Sequence, residues 1–532
     1  MYIIIRDWLN FKFRNFLIKD LNTISSKKTD NPEGLLYQEK TFILIATVLL
    51  LYGIVSSIFL ECFYIGYDIW DHVAQITAFK DNLLAPIDPY LRGGNTSHIL
   101  TPYHQLLGAS ARITGLTPLT VLSIAGLFNL AFFVYSVRVA ACYLFGDVKY
   151  SLIVLIVLLA FWIYPPSSSG VNDFSLIPLT LGYPYRAVFP IIIIVLAKIN
   201  NTIDFKTYIF YTLLTAYVFA THPLSGTSLM LLIGTKSLMS NEWNAKKFLM
   251  ILLPFISLIL TFFWPYYPIL KFVFSLQNLS VFNLPEAYQF YYETIYTIAL
   301  IFIPSMLMIV EKIKTRTFDF RLLLLALLTP IVTINYFFLY NEPIARFIFL
   351  LNFLLHLLTI EWFIKKWLPK SKSHQLAFFS LAGILLILQM EFSLRTISIF
   401  PDMLKDKSIG YHSNFRLYHE FQELDNWVKD GGIILAPLDV SVMITRVTHQ
   451  NAVVYYYPNP AIYGTKEKSA DVIKYFSTSS VKEKNSILKK YQVKYLVSKE
   501  NYSLLQKQGL KLKLLGSIDN FPVYKILDIN EQ

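Results

Sequence analysis

TFILIATVLLLYGIVSSIFL, residues 41–60, runs for twenty residues without a charged side chain. As an α-helix it rises about 30 Å, the thickness of a hydrocarbon core. A helix also satisfies every backbone polar group inside its own segment, which lipid requires. The pattern returns at 121–145, 152–164, 187–197, 207–220, 224–238, 248–264, 295–310, 322–340, 344–363 and 376–390, with polar joints between. The shorter runs are read as tilted or padded by neighbouring aromatics. The 532-residue chain is 55% hydrophobic and only 15% charged, where soluble domains carry about 25% charge. The expected fold is a polytopic α-helical membrane protein of about eleven transmembrane helices.

Orientation follows from the basic residues in the short joints. Lys12, Arg14, Lys19, Lys27, Lys28 and Lys40 precede the first run. Lys149, then Lys198 and Lys206, then Lys236, Lys246 and Lys247 fill alternate joints. Lys312, Lys314, Arg316 and Arg321 follow, and then Lys365, Lys366, Lys370 and Lys372. These joints and the N-terminus are expected in the cytoplasm, in a multi-pass plasma (inner) membrane. The net charge of +12 is then a topology signal. It supplies no basic soluble face for nucleic acid. Residues 1–40 interleave apolar and basic residues without a cleavage pattern, and read as an amphipathic segment on the cytoplasmic surface, not a signal peptide. Cys62 and Cys142 are the two cysteines. One lies at a predicted boundary and one deep in a span, so neither a disulfide nor a thiolate metal site is expected.

The membrane domain is expected over 41–392, with outward loops at 62–120, 165–186 and 265–294. Residues 393–532 are polar. Strands expected at 431–438, 451–458, 493–498 and 521–527 alternate with helices at 415–429, 470–476, 486–490 and 501–508, which suggests a small extracytoplasmic α/β domain. It has no Gly-rich phosphate loop and no nucleophile elbow, so it reads as a structural or substrate-guiding cap. Asp439, Arg446, His449 and Asn459 follow its strands and could face the membrane domain, although ordinary surface positions are the simpler reading.

Polar residues capable of chemistry gather in the outward joints. In YIGYDIWDHVAQ, residues 64–75, Asp68 and Asp71 are three apart and share a helix face, which His72 and Gln75 extend. DPYLRGGNTSHILTPYHQLLG, residues 88–108, carries Arg92 and His104 and reads as one or two short helices on the membrane surface. The loop at 165–186 contains Asp173, Tyr185 and Arg186, with four prolines that argue for a shaped loop. His222 stands in THPLSG, and Glu342 and Arg346 in NEPIARF. An arginine at headgroup depth is a natural phosphate ligand through its planar fork of donors. Snorkelling to lipid is the competing account. No cofactor is fixed by the sequence, and a divalent cation is possible. Asp68, Asp71 and His72 could surround a divalent ion, but a hard cation needs more convergent oxygens than spacing shows.

This constellation suits transfer of a sugar from a polyprenyl-phosphate donor to an extracytoplasmic glycan, lipid or protein. Asp68 or Asp71 would take the proton of the acceptor hydroxyl, Asp68 being preferred as nearer the membrane boundary. Arg346, Arg186 and His222 would hold the donor phosphate and offset leaving-group charge. His72, Gln75, Arg92, His104, Asp173, Tyr185 and Glu342 would contact substrate. Direct displacement inverts the anomeric configuration. The partners expected are the lipid-linked donor, the acceptor and membrane lipids.

The arrangement resembles the GT-C superfamily of polytopic membrane glycosyltransferases, which depend on polyprenyl-phosphate sugars. The similarity is architectural over 41–392. It implies that Asp68 or Asp71 in YDIWDH matches the first-loop catalytic aspartate, and that Arg346 in NEPIARF looks like the late outward arginine that holds donor phosphate. The chain lacks the adjacent Asp-Glu of the protein mannosyltransferases and the Asp-x-Asp of some oligosaccharyltransferases, since Ile69 and Trp70 separate the acids. Other classes remain open. A transporter or flippase of lipid-linked saccharides would favour charges within spans and inverted repeats, yet the mid-span regions are nearly free of acids. A non-catalytic scaffold would tolerate Asp68→Asn. A glycan polymerase or ligase would draw on His104, His222 and Arg186.

Overall fold

The computed structural model describes residues 32–63, 67–87, 89, 100–162, 173–199, 204–239, 245–266, 291–292, 299–405, 414–454, 465–500, 502–507, 509–518 and 521–529. Among them, a helix covers most of each apolar run. The first is α1, Pro32–Phe63. Five helices, at Glu39–Ile58, Pro118–Leu144, Phe320–Leu339, Ile348–Trp367 and Lys372–Met390, are long and apolar enough to cross a membrane. The other runs form helices of 10 to 17 residues. The protein is therefore largely helical with the character of a multi-pass membrane protein.

Exposure supports a lipid setting. Leu44, Val48, Leu51, Val55 and Ile58 form an exposed stripe along α1 at helical spacing, while Phe42, Ala46 and Leu49 are buried on its other face. A stripe of that size in water would be an aggregation surface. The helix Ser151–Ala160, SLIVLIVLLA, is the reverse case, with all ten residues buried. A helix that is apolar all round belongs at the centre of a bundle.

Local chemistry sets the breaks. Pro102, Pro118, Pro184 and Pro223 stand in the first turns of their helices, where a missing N–H costs nothing. The span ending at Leu339 closes in a π-turn, and Tyr340 takes φ +51°. Asn335 pins that turn, accepting from Asn341 N at 2.8 Å and donating to Asn341 O at 2.9 Å. The next span then begins at Ile348, later than the 344 expected, because Glu342–Ala345 forms its own short helix. The basic joint near 312–321 is partly neutralised. Lys312 reaches Asp319 at 3.1 Å and Glu361 at 3.2 Å, and Arg321 reaches Glu361 at 2.5 Å.

Two helices follow the first span, α2 (Tyr67–Asp81) and α3 (Pro102–Thr114). They cross closely at Gly108, where a Cβ would stand 2.4 Å from Phe79 Cβ.

The C-terminal domain carries a five-stranded mixed sheet in the order β2-β1-β3-β5-β4. The strands are β1 Ile433–Leu435, β2 Asn451–Ala452, β3 Val493–Val497, β4 Leu510–Ile518 and β5 Phe521–Ile529. β1 runs parallel to β2 and β3, and β5 runs antiparallel to β3 and β4. β2 opens at Asn451, as expected, and residues 455–458 of that expected strand lie outside the described residues. Two details depart from the sequence reading: helix Leu438–Val447 follows β1, and β4 was not expected. The signal for β4 was the alternation Leu510, Lys511, Leu512, Lys513, buried at the leucines and exposed at the lysines, as an edge strand requires. The domain is no tethered bead. Ile69, Trp70 and Val73 of α2 share one core with Tyr418, Leu424 and Ile444 of the tail.

Candidate functional site

The site is built outward from α2. Its apolar residues Ile69, Trp70, Val73 and Ile76 are fully or almost fully buried, which fixes the helix rotation and leaves Asp71 and His72 beside that face. Asp71 Oδ1 lies 2.5 Å from Nε of Arg446, whose side chain is only 2% exposed. Arg446 comes from helix Leu438–Val447, held against α2 through Ile444 and Val447. The sequence singled out Arg446 as a residue able to face the membrane domain, but nothing in it named the partner.

His72 Nδ1 lies 3.0 Å from His104 Nε2, and His104 Nδ1 lies 2.7 Å from Thr101 Oγ1. Thr101 caps α3 and also accepts from the backbone N–H of His104. Spacing could not show this relay, since Thr101 and His104 look like an ordinary helix start. Tyr183 meets His72 edge-on, with centroids 4.6 Å apart. Burial pushes His72 down to about 3, and the neighbouring His222 and Arg446 push the same way. Burial likewise holds His104 well below the usual imidazole range, with His72 adding to it. Both rings are neutral, so the link between them is one N–H donating to one bare nitrogen.

His222 stands at the turn between helices Phe205–Thr221 and Pro223–Leu238. Its Nδ1 accepts from the backbone N–H of Ser225 at 3.3 Å and lies 2.7 Å from Ser225 Oγ. A nitrogen that accepts from a backbone N–H carries no proton. The neutral ring is therefore protonated at Nε2, which is left as a donor. Burial, then the charge of Arg346, pushes His222 down to about 4. Tyr185 packs edge-on against it at 5.7 Å. Arg346 sits in the turn before Ile348–Trp362, its guanidinium 5.0 Å above the Tyr291 ring.

His72 thus feels Arg446 and His222, and His222 feels Arg346. Beside His222 opens a cleft containing about 670 Å³ of empty space, part of it open to the surroundings. Tyr185, His222 and Ser225 line it together with Trp162, Asn352 and His356.

Arg186 and Asp173 form a separate group. Arg186 Nε donates to Thr180 Oγ1 at 2.9 Å. Asp173 caps the turn at Phe174 and accepts from Ser175 N at 2.7 Å. Burial pushes Asp173 up to about 6 against those hydrogen bonds and the nearby Arg186 charge. Burial pushes Arg186 down to about 10. Gln75 is buried, and its Oε1 has no partner among the described residues. Arg92 and Asn459 lie outside the described residues, as do the side chains of Asp68, Glu342 and Asp439. The candidate cation site loses one arm, because the Asp71 carboxylate faces the Arg446 guanidinium.

No model of a known protein family matches this chain, and no curated protein does.

Proposed function

We propose that this protein is a membrane-embedded inverting glycosyltransferase of GT-C-like architecture that uses a polyprenyl-phosphate sugar. In this reading the apolar runs make about eleven spans of the plasma membrane, with the N-terminus cytoplasmic and the site outside. One observation carries it. The first helix after the first span is tied to the C-terminal domain by the Asp71–Arg446 pair and to the next helix by the His72–His104 contact, and His222 and Tyr185 together line a cleft.

The chemistry is a displacement at the anomeric carbon. The acceptor oxygen bonds to that carbon while its bond to the phosphate oxygen breaks. The acceptor proton passes to Asp68, and polyprenyl phosphate leaves. Asp71 is engaged by Arg446, which gives it a positioning role. Arg346 and the Nε2–H of His222 supply charge and a donor for the departing phosphate.

Purified protein in proteoliposomes, given radiolabelled glycosyl phosphodecaprenols and extracted envelope acceptors, should transfer label. Asp68→Asn and Arg346→Ala should abolish transfer. Transfer undiminished in both variants would overturn the proposal. The glycan polymerase or ligase reading draws support from the His72–His104 pair. It predicts two lipid-linked substrates and a product lengthened by more than one sugar.

A further inference from the structure

The membrane helix Ile348–Trp367 places Asn352 and His356 one turn apart on one face. Both line the cleft, and they are 3% and 1% exposed. His356 Nδ1 lies 2.8 Å from the Asn352 carbonyl oxygen. A carbonyl only accepts, so in this buried, neutral ring the proton is on Nδ1 and Nε2 is a bare acceptor. That Nε2 has no partner among the described residues, and neither does the Asn352 amide nitrogen, which is a donor. A buried donor and acceptor stand one turn apart among the aromatic lining groups Trp162, Phe189, Phe349 and Phe353. The Trp162 ring centre lies 4.5 Å from that of His356.

Buried polar atoms without partners are costly, and binding sites are where such atoms wait for a ligand. The pair carries no positive charge, so it does not suit a phosphate. A hydroxyl donates and accepts at one oxygen, which is what the pair asks for. We infer that this part of the cleft is a hydroxyl-binding subsite, where Asn352 donates to and His356 accepts from one hydroxyl of a sugar ring lying against the aromatic residues. This rests on the glycosyl-phosphate reading for the identity of the ligand. The subsite itself requires only a neutral hydroxyl.

The test is binding to the full chain in nanodiscs of phosphatidylethanolamine and phosphatidylglycerol. The probes are decaprenyl phosphate, a panel of its glucosyl, mannosyl, galactosyl and arabinofuranosyl esters, and octyl β-D-glucoside. At least one glycosylated form should bind about tenfold more tightly than decaprenyl phosphate, roughly one good hydrogen bond. Asn352→Leu and His356→Phe should each erase that preference and weaken octyl glucoside, leaving decaprenyl phosphate unchanged. His356→Gln, which restores an acceptor, should recover part of it. A preference that survives both apolar variants, or none in the wild type, overturns the inference. Failure of the phosphate reading shows separately, as decaprenyl phosphate binding that ignores Arg346→Ala.

Discussion

The Asp71 carboxylate, on the first helix beyond the first span, makes an ion pair 2.5 Å long with the buried Arg446 of the C-terminal domain. The two residues come from opposite ends of the chain, and the pair lies at the edge of the core that α2 shares with the tail. The domain therefore does more than cover the membrane helices, because it fixes the position of an acidic residue in the candidate site.

Removing one side of this pair strands the other charge. Arg446→Ala should lower the stability of the docked domain by about 3–5 kcal/mol, the usual cost of breaking a buried pair. Thermal unfolding and limited proteolysis of the full chain would read it. The double variant Asp71→Asn, Arg446→Gln should recover part of the loss. No recovery would mean that the two residues act independently.

Asp68 and Asp71 should separate by type of damage. Asp68→Asn is expected to cut transfer by about 10²–10⁴-fold, the range of a lost general base, with an unchanged melting temperature. Asp71→Asn should lower both, because it also breaks the Arg446 pair. Equal melting temperatures for the two variants would contradict this division.

His449 bridges Asp425 at 2.7 Å and Asp81 at 2.5 Å, about 15 Å along α2 from Asp71. Its hydrogen bonds to Asp425 and then Asp81 push it up to about 10. A raised value means that the folded state holds the proton more tightly than the unfolded chain does. Its contribution is complete below about 6.5 and fades as pH rises through about 10. The melting temperature of wild type should exceed that of His449→Gln at pH 6, and the gap should close by pH 10.5. A gap independent of pH would show that the bridge does not depend on protonation.

The buried pair His72 and His104 has the opposite sign. Burial lowers both, so the unfolded chain takes up protons that the folded state refuses, and stability falls as pH drops below about 6.5 towards 3. The double variant His72→Gln, His104→Gln should flatten that acid limb in a pH series of unfolding curves.

Gly108 allows α2 and α3 to touch. A methyl group there would stand 2.4 Å from Phe79 Cβ and 3.0 Å from the Ile76 carbonyl oxygen and the Lys80 nitrogen. Backbone does not yield cheaply, so Gly108→Ala should cost about 1–3 kcal/mol and draw His104 away from His72. Unchanged histidine NMR shifts in that variant would argue against it.

The sequence by itself determined what local physics controls. The stripe Leu44, Val48, Leu51, Val55 and Ile58, the all-apolar SLIVLIVLLA and the prolines at helix starts announce helices and their lipid or core setting, because the 3.6-residue period is written in consecutive residues. The strand–helix alternation of the tail was legible for the same reason, except at β4 and at the helix after β1. Tertiary structure alone decided that Arg446 meets Asp71, that Thr101, His104 and His72 stand in line, and that Arg186 turns to Thr180 beside Asp173. Those pairings depend on which faces of distant helices pack together. That choice is made by burial summed over many residues, and no short stretch of the chain contains it.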